Sequence, residues 1–360
     1  MNVNLFAALT LLSAFLLFQT ELIVAKYILP WFGGTPAVWN TCMLFYQSVL
    51  VIGYLYSHWL CSRFDGKKQS RIHVGTLAIV LAALAAAVMA WGSPLTPAAR
   101  WKYFLPGSPV LHILLLLALA VGIPFFLLST TGPLLQHWFS RAYPQRSPYR
   151  LYAISNLGSL LGLLGYPFLL EWLLPIKKQA FLWTAFFVAF LVLSAIQSWA
   201  VGARVPRPDN EAQPDRGGPV PVRRFALWCA LSACASVMLL ATTNLICQKI
   251  SSSPFLWVIP LCIYLLSFTI CFESSRWYKR PVFFSLYFVS VGLIARMATY
   301  PEADVDAIRQ MSVYCLLFFA VCMVCNGELE RLKPPPLQAT PFYLSIAFGG
   351  ALGGDRKSVV

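Results

Sequence analysis

The sequence predicts an all-α polytopic membrane protein with two repeated bundles of about six transmembrane helices, major-facilitator-like in organisation, the second bundle incomplete. Hydrophobic residues make up 59% of the 360 residues and charged residues 11%, and the mean hydropathy is +0.69. These values lie outside the range of soluble globular domains. A heptapeptide also recurs, since Thr20–Lys26 (TELIVAK) returns as Thr243–Lys249 (TNLICQK) with four of seven positions identical. Internal repeats of this kind are typical of transporter folds.

Ten apolar runs approach the length of about 20 residues that an α-helix needs to cross the hydrocarbon core of a bilayer. They are Leu5–Ala25, Val38–Leu60, Ile72–Trp91, Val110–Leu128, Leu151–Leu170, Phe181–Val201, Phe225–Cys247, Phe255–Phe272, Val282–Met297 and Met311–Val324. An eleventh run begins at Phe342 and stops after about a dozen residues, which is too short to cross.

The net charge of +14 reflects membrane topology rather than nucleic-acid binding. The connections after the second, fourth, sixth, eighth and tenth runs hold 17 Lys and Arg residues, and the other connections hold eight. Because cytoplasmic connections are enriched in basic residues, we expect the N-terminus to be cytoplasmic. The expected location is the bacterial inner membrane, with the lipid bilayer as the main partner and no nucleic acid.

Two further pairs of matching segments extend the repeat. Pro36–Trp39 matches Pro254–Trp257, and a second set matches at one fixed offset, namely Tyr152, Gly158 and Gly162 against Tyr343, Gly349 and Gly353. A hydrophilic stretch separates six runs from the rest, so the arrangement is the parallel repeat of the major facilitator type. We therefore expect a first bundle at 1–201, a cytoplasmic linker at 202–224, a second bundle at 225–354 with four spans and a partial fifth, and a tail at 355–360.

Four strings resemble the membrane portion of the fused transporter and spermidine-synthase-like proteins of bacteria. They are Glu21–Trp39, Pro124–Trp138, Leu151–Pro167 and Ala241–Phe272. The resemblance implies a soluble aminopropyltransferase-like domain after the spans and a polyamine-like solute. The charged tail Asp355–Val360 interrupts the eleventh run and resembles a translated sequencing adapter, so we expect an artificially truncated chain that lacks the C-terminal domain.

The sequence predicts no catalytic residue, cofactor or metal site. The four histidines lack a second ligand at helical spacing, and Cys322–Cys325 has metal-like spacing but lies in an apolar run without a neighbouring ligand. Core packing is the favoured interpretation of those cysteines. Glycines at four-residue spacing allow close helix approach, and the expected packing positions are Gly158, Gly162, Gly165, Gly349 and Gly353.

Polar residues inside the spans are the candidates for a substrate or proton pathway, because lipid penalises them unless they face a partner or water. They are Glu21, Gln47, Thr130, Thr131, Asn156 and Asn244. The alternative is interhelical hydrogen bonding, and Asn156 fits that role best. The hydroxyls near Pro133 are also expected to bond the carbonyl that this proline frees.

Glu21 is the preferred functional residue. Its counterpart in the repeat is Asn244, so the charge is specific to the first copy. Lys26 lies five residues further on, on a different face of the helix, and is not expected to neutralise it. Glu21 is expected near the outer end of the first span.

Three functions remain open from the sequence. The first is transport of a small cationic or polyamine-like solute. The second is a membrane anchor or substrate conduit for an aminopropyltransferase domain absent from this chain. The third is a structural membrane scaffold.

The orientation can be tested with single cysteines in a background without reactive native thiols. We expect Ala212→Cys, in the linker, to resist an impermeant thiol reagent in intact cells, because that linker lies in the cytoplasm. Ala99→Cys, in the connection after the third run, should be labelled readily. Labelling of the linker cysteine alone would reverse the proposed topology.

Overall fold

A computed structural model describes residues 2–33, 36–103, 108–146, 148–204, 220–249, 258–299, 307–335 and 339–354. These residues form α-helices, with no strand in the part described. The helices are α1 Val3–Phe32, α2 Pro36–Arg63, α3 Gly66–Trp91, α4 Pro109–Leu117, α5 Ile123–Ala142, α6 Tyr149–Gly165, α7 Glu171–Leu173, α8 Ile176–Arg204, α9 Val222–Lys249, α10 Val258–Glu273, α11 Arg280–Thr299, α12 Ala307–Arg331 and α13 Ala339–Gly354. The tail at 355–360 and most of the linker lie outside the described residues.

The helices belong to two compact units. The first unit contains α1–α8, and the second contains α9–α12 together with α13 from Pro341 onward. In the first unit α1 is the central helix, because it packs against α2, α5, α6 and α8. In the second unit α12 packs against α9, α10 and α11.

Local capping explains where two of the long helices begin and end. The Asn2 side chain accepts a hydrogen bond from Asn4 N at 3.0 Å, and α1 ends at Gly33, whose positive φ of 85° favours glycine. Asp65 caps α3 by accepting from Lys68 N at 3.1 Å. Gly92 ends α3 in the left-handed region, as glycines commonly do.

The fourth predicted run is one long span with an irregular middle. Five residues of π-helix, Ala118–Gly122, join α4 to α5, so the span covers Pro109–Ala142. A second π-helical turn, Tyr166–Leu170, joins α6 to α7. Single π-turns inside helices occur frequently at functional positions.

Each of the ten predicted runs coincides with a described helical segment. Eight spans are long and apolar enough to cross a membrane, and α10 and α13 are shorter apolar helices. The 28-residue α2 is not among the eight spans found in the described part of the chain. The helices also extend past the predicted ends, as α1 does by seven residues from Ala25 to Phe32.

Two glycines bring α6 into backbone contact with α1. A Cβ at Gly158 would lie 2.4 Å from the Leu11 carbonyl oxygen, and one at Gly162 would lie 2.8 Å from that of Phe15. Both distances are shorter than real Cβ contacts, so only glycine permits this approach. Gly165 was also expected to pack closely, but a Cβ there would meet its nearest neighbour at 3.9 Å, and that expectation is wrong.

The same contact recurs in the second unit between α13 and α9. A Cβ at Gly349 would lie 2.4 Å from the Cys229 carbonyl oxygen, and one at Gly353 would lie 2.6 Å from that of Ala233. The glycine pairs of both units therefore have the predicted packing role. Each pair meets carbonyls four residues apart on the first helix of its unit.

The crossings give a different register from the recurring heptapeptide. The crossing partners Leu11 and Cys229 are offset by 218 residues (229 minus 11), whereas the heptapeptides are offset by 223 (243 minus 20). With the offset of 218 residues given by the helix crossings, the counterpart of Glu21 is Leu239. Asn244 lies five residues further on, about one and a half helical turns away.

The close crossing can be tested with two substitutions on one helix. We expect Gly158→Ala to destabilise the protein by about 1 to 3 kcal/mol, because the new methyl overlaps a backbone carbonyl that cannot move freely. Gly165→Ala should be neutral or slightly stabilising, since its methyl meets only ordinary contacts. Thermal unfolding in detergent measures both. Equal effects of the two substitutions would contradict the crossing.

Candidate functional site

Glu21 lies in the C-terminal half of α1. The helix continues to Phe32, so Glu21 is 11 residues from the helix end, about 16 Å at 1.5 Å per residue. The helix extends seven residues beyond Ala25, where the sequence placed the end of the first span.

The Glu21 carboxylate has no ion-pair or hydrogen-bond partner among the described residues. Its side chain is half-buried, and the four residues that follow it, Leu22–Ala25, are buried. Lys26 does not neutralise it, because Lys26 Nζ lies 2.7 Å from Glu171 Oε1. The nearest cation along the sequence is thus already paired.

Tyr46 of α2 is a buried polar group within electrostatic range of Glu21. It lies close enough to interact with the charge of the Glu21 carboxylate, and its side chain is 2% exposed. The ring packs against Phe125 of α5 with ring centroids 4.9 Å apart. Its hydroxyl has no hydrogen-bond partner among the described residues. The helices α1, α2 and α5 therefore position a carboxylate and a phenol with unused hydrogen-bonding capacity.

Cys42 lies one turn before Tyr46 on the same face of α2 and is also buried. Gln47, one of the sequence candidates, is half-buried. It follows Tyr46 directly and so points about 100° away around the helix. The face of α2 that carries Tyr46 is therefore different from the face that carries Gln47. The sequence analysis did not single out Tyr46, because an aromatic residue in an apolar run carries no distinctive signal.

Thr130 and Thr131 are fully buried and bonded within their own helix. Both hydroxyls donate to the Leu127 carbonyl, at 2.8 and 3.0 Å. They do not reach the carbonyl of Ser129, four residues before Pro133, so the expected repair of the proline gap is wrong. Side-chain bonds back to the preceding turn are the common arrangement for such hydroxyls in a helix.

The interface between α2 and α5 is instead held by two small residues of α2. The Ser57 hydroxyl donates to the Thr130 carbonyl at 2.9 Å. A Cβ at Gly53 would lie only 2.0 Å from Ser129 Oγ, so Gly53 admits α5 at close range. These contacts position α5, and with it Phe125, against α2.

The two asparagine candidates lie apart from Glu21. Asn156 Nδ2 donates to the Tyr152 carbonyl at 2.9 Å, one turn back on α6, so this bond lies within one helix and not between helices as expected. Asn244 is exposed on α9. An interhelical bond that the sequence analysis did not predict joins Gln19 Nε2 to the Gly162 carbonyl at 2.7 Å, at the glycine crossing.

An ionic cluster of Tyr278, Arg280 and Glu328 in the second unit was not predicted from the sequence either. Arg280 at the start of α11 makes a two-point bond to Glu328 of α12, at 2.6 and 2.8 Å, and the Tyr278 hydroxyl donates to Glu328 at 2.9 Å. Burial and the neighbouring Glu328 raise the pKa of Tyr278 to about 12, so the phenol stays protonated and keeps donating. Gly327 makes room for the Tyr278 ring. This cluster fastens the connection before α11 to α12.

Among the described residues, no group of three or more His, Cys, Asp or Glu side chains is arranged to hold a metal ion. No protein-family model matches the chain, and no curated protein matches it. Among solved structures, the chain is similar to the crystal structure of a bacterial homologue of the iron transporter ferroportin in an outward-facing state. The TM-score is 0.55 and the identity 15%, over 98% of this chain and 90% of that one. This likeness confirms the all-α, major-facilitator-like fold.

The unused hydroxyl of Tyr46 can be tested through stability. We expect Tyr46→Phe to leave the unfolding temperature unchanged, because the hydroxyl has no described partner and the ring contact is kept. Tyr27→Phe should cost about 0.5 to 1.5 kcal/mol, since the Tyr27 hydroxyl donates to the Pro97 carbonyl at 2.6 Å. A loss for Tyr46→Phe as large as that for Tyr27→Phe would show that the hydroxyl is bonded.

Proposed function

We propose that the chain is the membrane module of a transporter for a small cationic, polyamine-like solute, and that the Glu21 carboxylate binds an ammonium group of that solute. The observation that carries the proposal is a half-buried carboxylate within an apolar span, with no hydrogen-bond or ion-pair partner among the described residues. Ionisable groups inside spans are costly and mark solute or proton pathways.

The charges around Glu21 support a cationic solute. Lys26, the basic residue nearest in sequence, is held by Glu171 and leaves the Glu21 charge uncompensated. An incoming cation would supply that compensation. Because the carboxylate lies away from bulk water, attraction to a cation is stronger there than at the surface.

Tyr46 adds a second acceptor for the same cation. An ammonium group has three N–H donors and no acceptor. The Glu21 carboxylate and the Tyr46 hydroxyl oxygen together can accept two of the three. The packing of Tyr46 on Phe125 fixes the ring and limits the entropy lost on binding.

The solute class rests on two further considerations. The resemblance to fused spermidine-synthase-like proteins points to a polyamine. The structural neighbour is a homologue of an iron transporter, but a hard divalent ion takes about six oxygen ligands. One carboxylate and one phenol suit an ammonium better than such an ion.

The decisive experiment compares two Glu-to-Gln substitutions. We expect Glu21→Gln to abolish uptake of radiolabelled polyamine into proteoliposomes, a loss of more than about tenfold, because the amide is isosteric but uncharged. Glu171→Gln should retain uptake, since that carboxylate serves Lys26 at the outer end. Normal unfolding temperatures and insertion of both variants are the control.

Uptake that is unchanged by Glu21→Gln would remove Glu21 from the pathway. A second outcome is that the wild-type protein takes up no polyamine but binds a cationic dye that other amines displace. That result would keep the carboxylate as a cation site and overturn only the polyamine assignment.

A further inference from the structure

A basic surface cavity lies at the connection between α10 and α11 of the second unit. Its volume is about 490 Å³, and it is lined by Ser274, Arg276, Trp277 and Lys279. Both cations are exposed, and neither makes an ion pair with a described residue. The Trp277 side chain is 64% exposed. The connection therefore presents two uncompensated positive charges beside an exposed aromatic ring.

Hydrogen bonds and ring packing fix the shape of this connection. The Ser274 hydroxyl accepts from Arg276 N at 3.4 Å, and the Ser274 carbonyl accepts from Trp277 N at 3.2 Å. The next residue, Tyr278, is buried and stacks on Phe283 of α11, with ring centroids 5.8 Å apart. A ligand would thus meet a preformed turn, which limits the entropy lost on binding.

The carboxylates at this end of the unit do not neutralise the positive charge. Glu328 lies between two guanidinium groups, 2.6 Å from that of Arg280 and 3.6 Å from that of Arg331. Glu273 ends α10, and the first turn of α11 contains no acidic residue. With the two cavity cations, these groups carry four positive charges against two negative ones. The cavity therefore attracts an anion.

The helix that follows the cavity is apolar and exposed along its length. Within α11, which is described from end to end, Ser290 is the only buried residue. Val282, Phe284 and Phe288 are 54, 43 and 66% exposed, and α11 is long enough to cross a membrane. In a bilayer such side chains contact acyl chains, and an exposed tryptophan at a helix end favours the headgroup layer. The cavity thus lies where a lipid headgroup would meet its chains.

We propose that this cavity binds the phosphate headgroup of an anionic phospholipid, with Arg276 and Lys279 contacting the phosphate and an acyl chain lying along α11. Lysine and arginine form charge-assisted hydrogen bonds with phosphate oxygens. Basic pockets on the cytoplasmic side of membrane proteins bind anionic headgroups, and the sequence predicts this connection on that side. The proposal is independent of Glu21, which belongs to the other unit.

The test is thermal unfolding of the full chain in an uncharged detergent, titrated with dioctanoyl phosphatidylglycerol. We expect the lipid to raise the unfolding temperature of the wild-type protein until the site is saturated. The double variant Arg276→Gln/Lys279→Gln should need about thirtyfold more lipid for half of the effect, because both phosphate contacts are lost. Dioctanoyl phosphatidylcholine, which has no net charge, should stabilise the wild type much less.

The matched control is the double variant Arg296→Gln/Arg309→Gln. It removes the same number of exposed cations from the same unit, at the last turn of α11 and the first turn of α12. Its response to the lipid should equal that of the wild type. An equal loss in both double variants, or equal stabilisation by the two lipids, would overturn the proposal.

A third arm distinguishes a lipid headgroup from a free anion. Inorganic phosphate and glycerophosphoglycerol, the headgroup without acyl chains, should give no saturable stabilisation at the lipid concentrations used, because neither contacts α11. Stabilisation by either probe that matches the lipid and is lost in Arg276→Gln/Lys279→Gln would overturn the lipid assignment and identify a site for soluble phosphates.

Discussion

The backbone contact between the first and fifth spans is the constraint on which the first unit depends. Gly158 and Gly162 let α6 approach until its Cα atoms meet the carbonyls of Leu11 and Phe15. In lipid, helices gain little from the hydrophobic effect when they associate, so close packing through small residues carries much of the attraction. The contact fixes α1, the helix that carries Glu21, against α6.

Polar groups inside the unit divide into those that are bonded within the fold and those that have no partner among the described residues. Thr130, Thr131 and Asn156 donate to carbonyls of their own helices, and Gln19 donates across the crossing to Gly162. A polar bond between helices in lipid stabilises by roughly 1 kcal/mol. Glu21 has no comparable contact among the described residues, and the buried hydroxyl of Tyr46 has none either.

The sequence predicted the elements well because their causes are local. Length and hydropathy located the apolar runs, and the four-residue spacing of Gly158 and Gly162 predicted a close crossing that the structure contains. Gly165 lies three residues after Gly162, and a Cβ there would meet its nearest neighbour only at 3.9 Å. Spacing alone does not distinguish these two cases.

The sequence did not predict features that depend on which helices pack against each other. Tyr46 has ordinary neighbours along the chain, and it gains its importance from its position relative to Glu21 on α1. The register of the repeat shows the same limit. A matching heptapeptide paired Glu21 with Asn244, whereas the crossings pair Glu21 with Leu239.

The register given by the crossings changes how the carboxylate of Glu21 is interpreted. A polar counterpart would suggest an ancestral polar position in both copies, with the carboxylate as a variation on it. An apolar counterpart such as Leu239 means that the corresponding place in the second unit is suited to lipid or to a packed interior. A carboxylate in the first unit then costs several kcal/mol that its repeat avoids. With no structural partner among the described residues to offset that cost, the compensation comes from a proton bound to the carboxylate or from the cation that we propose as the solute.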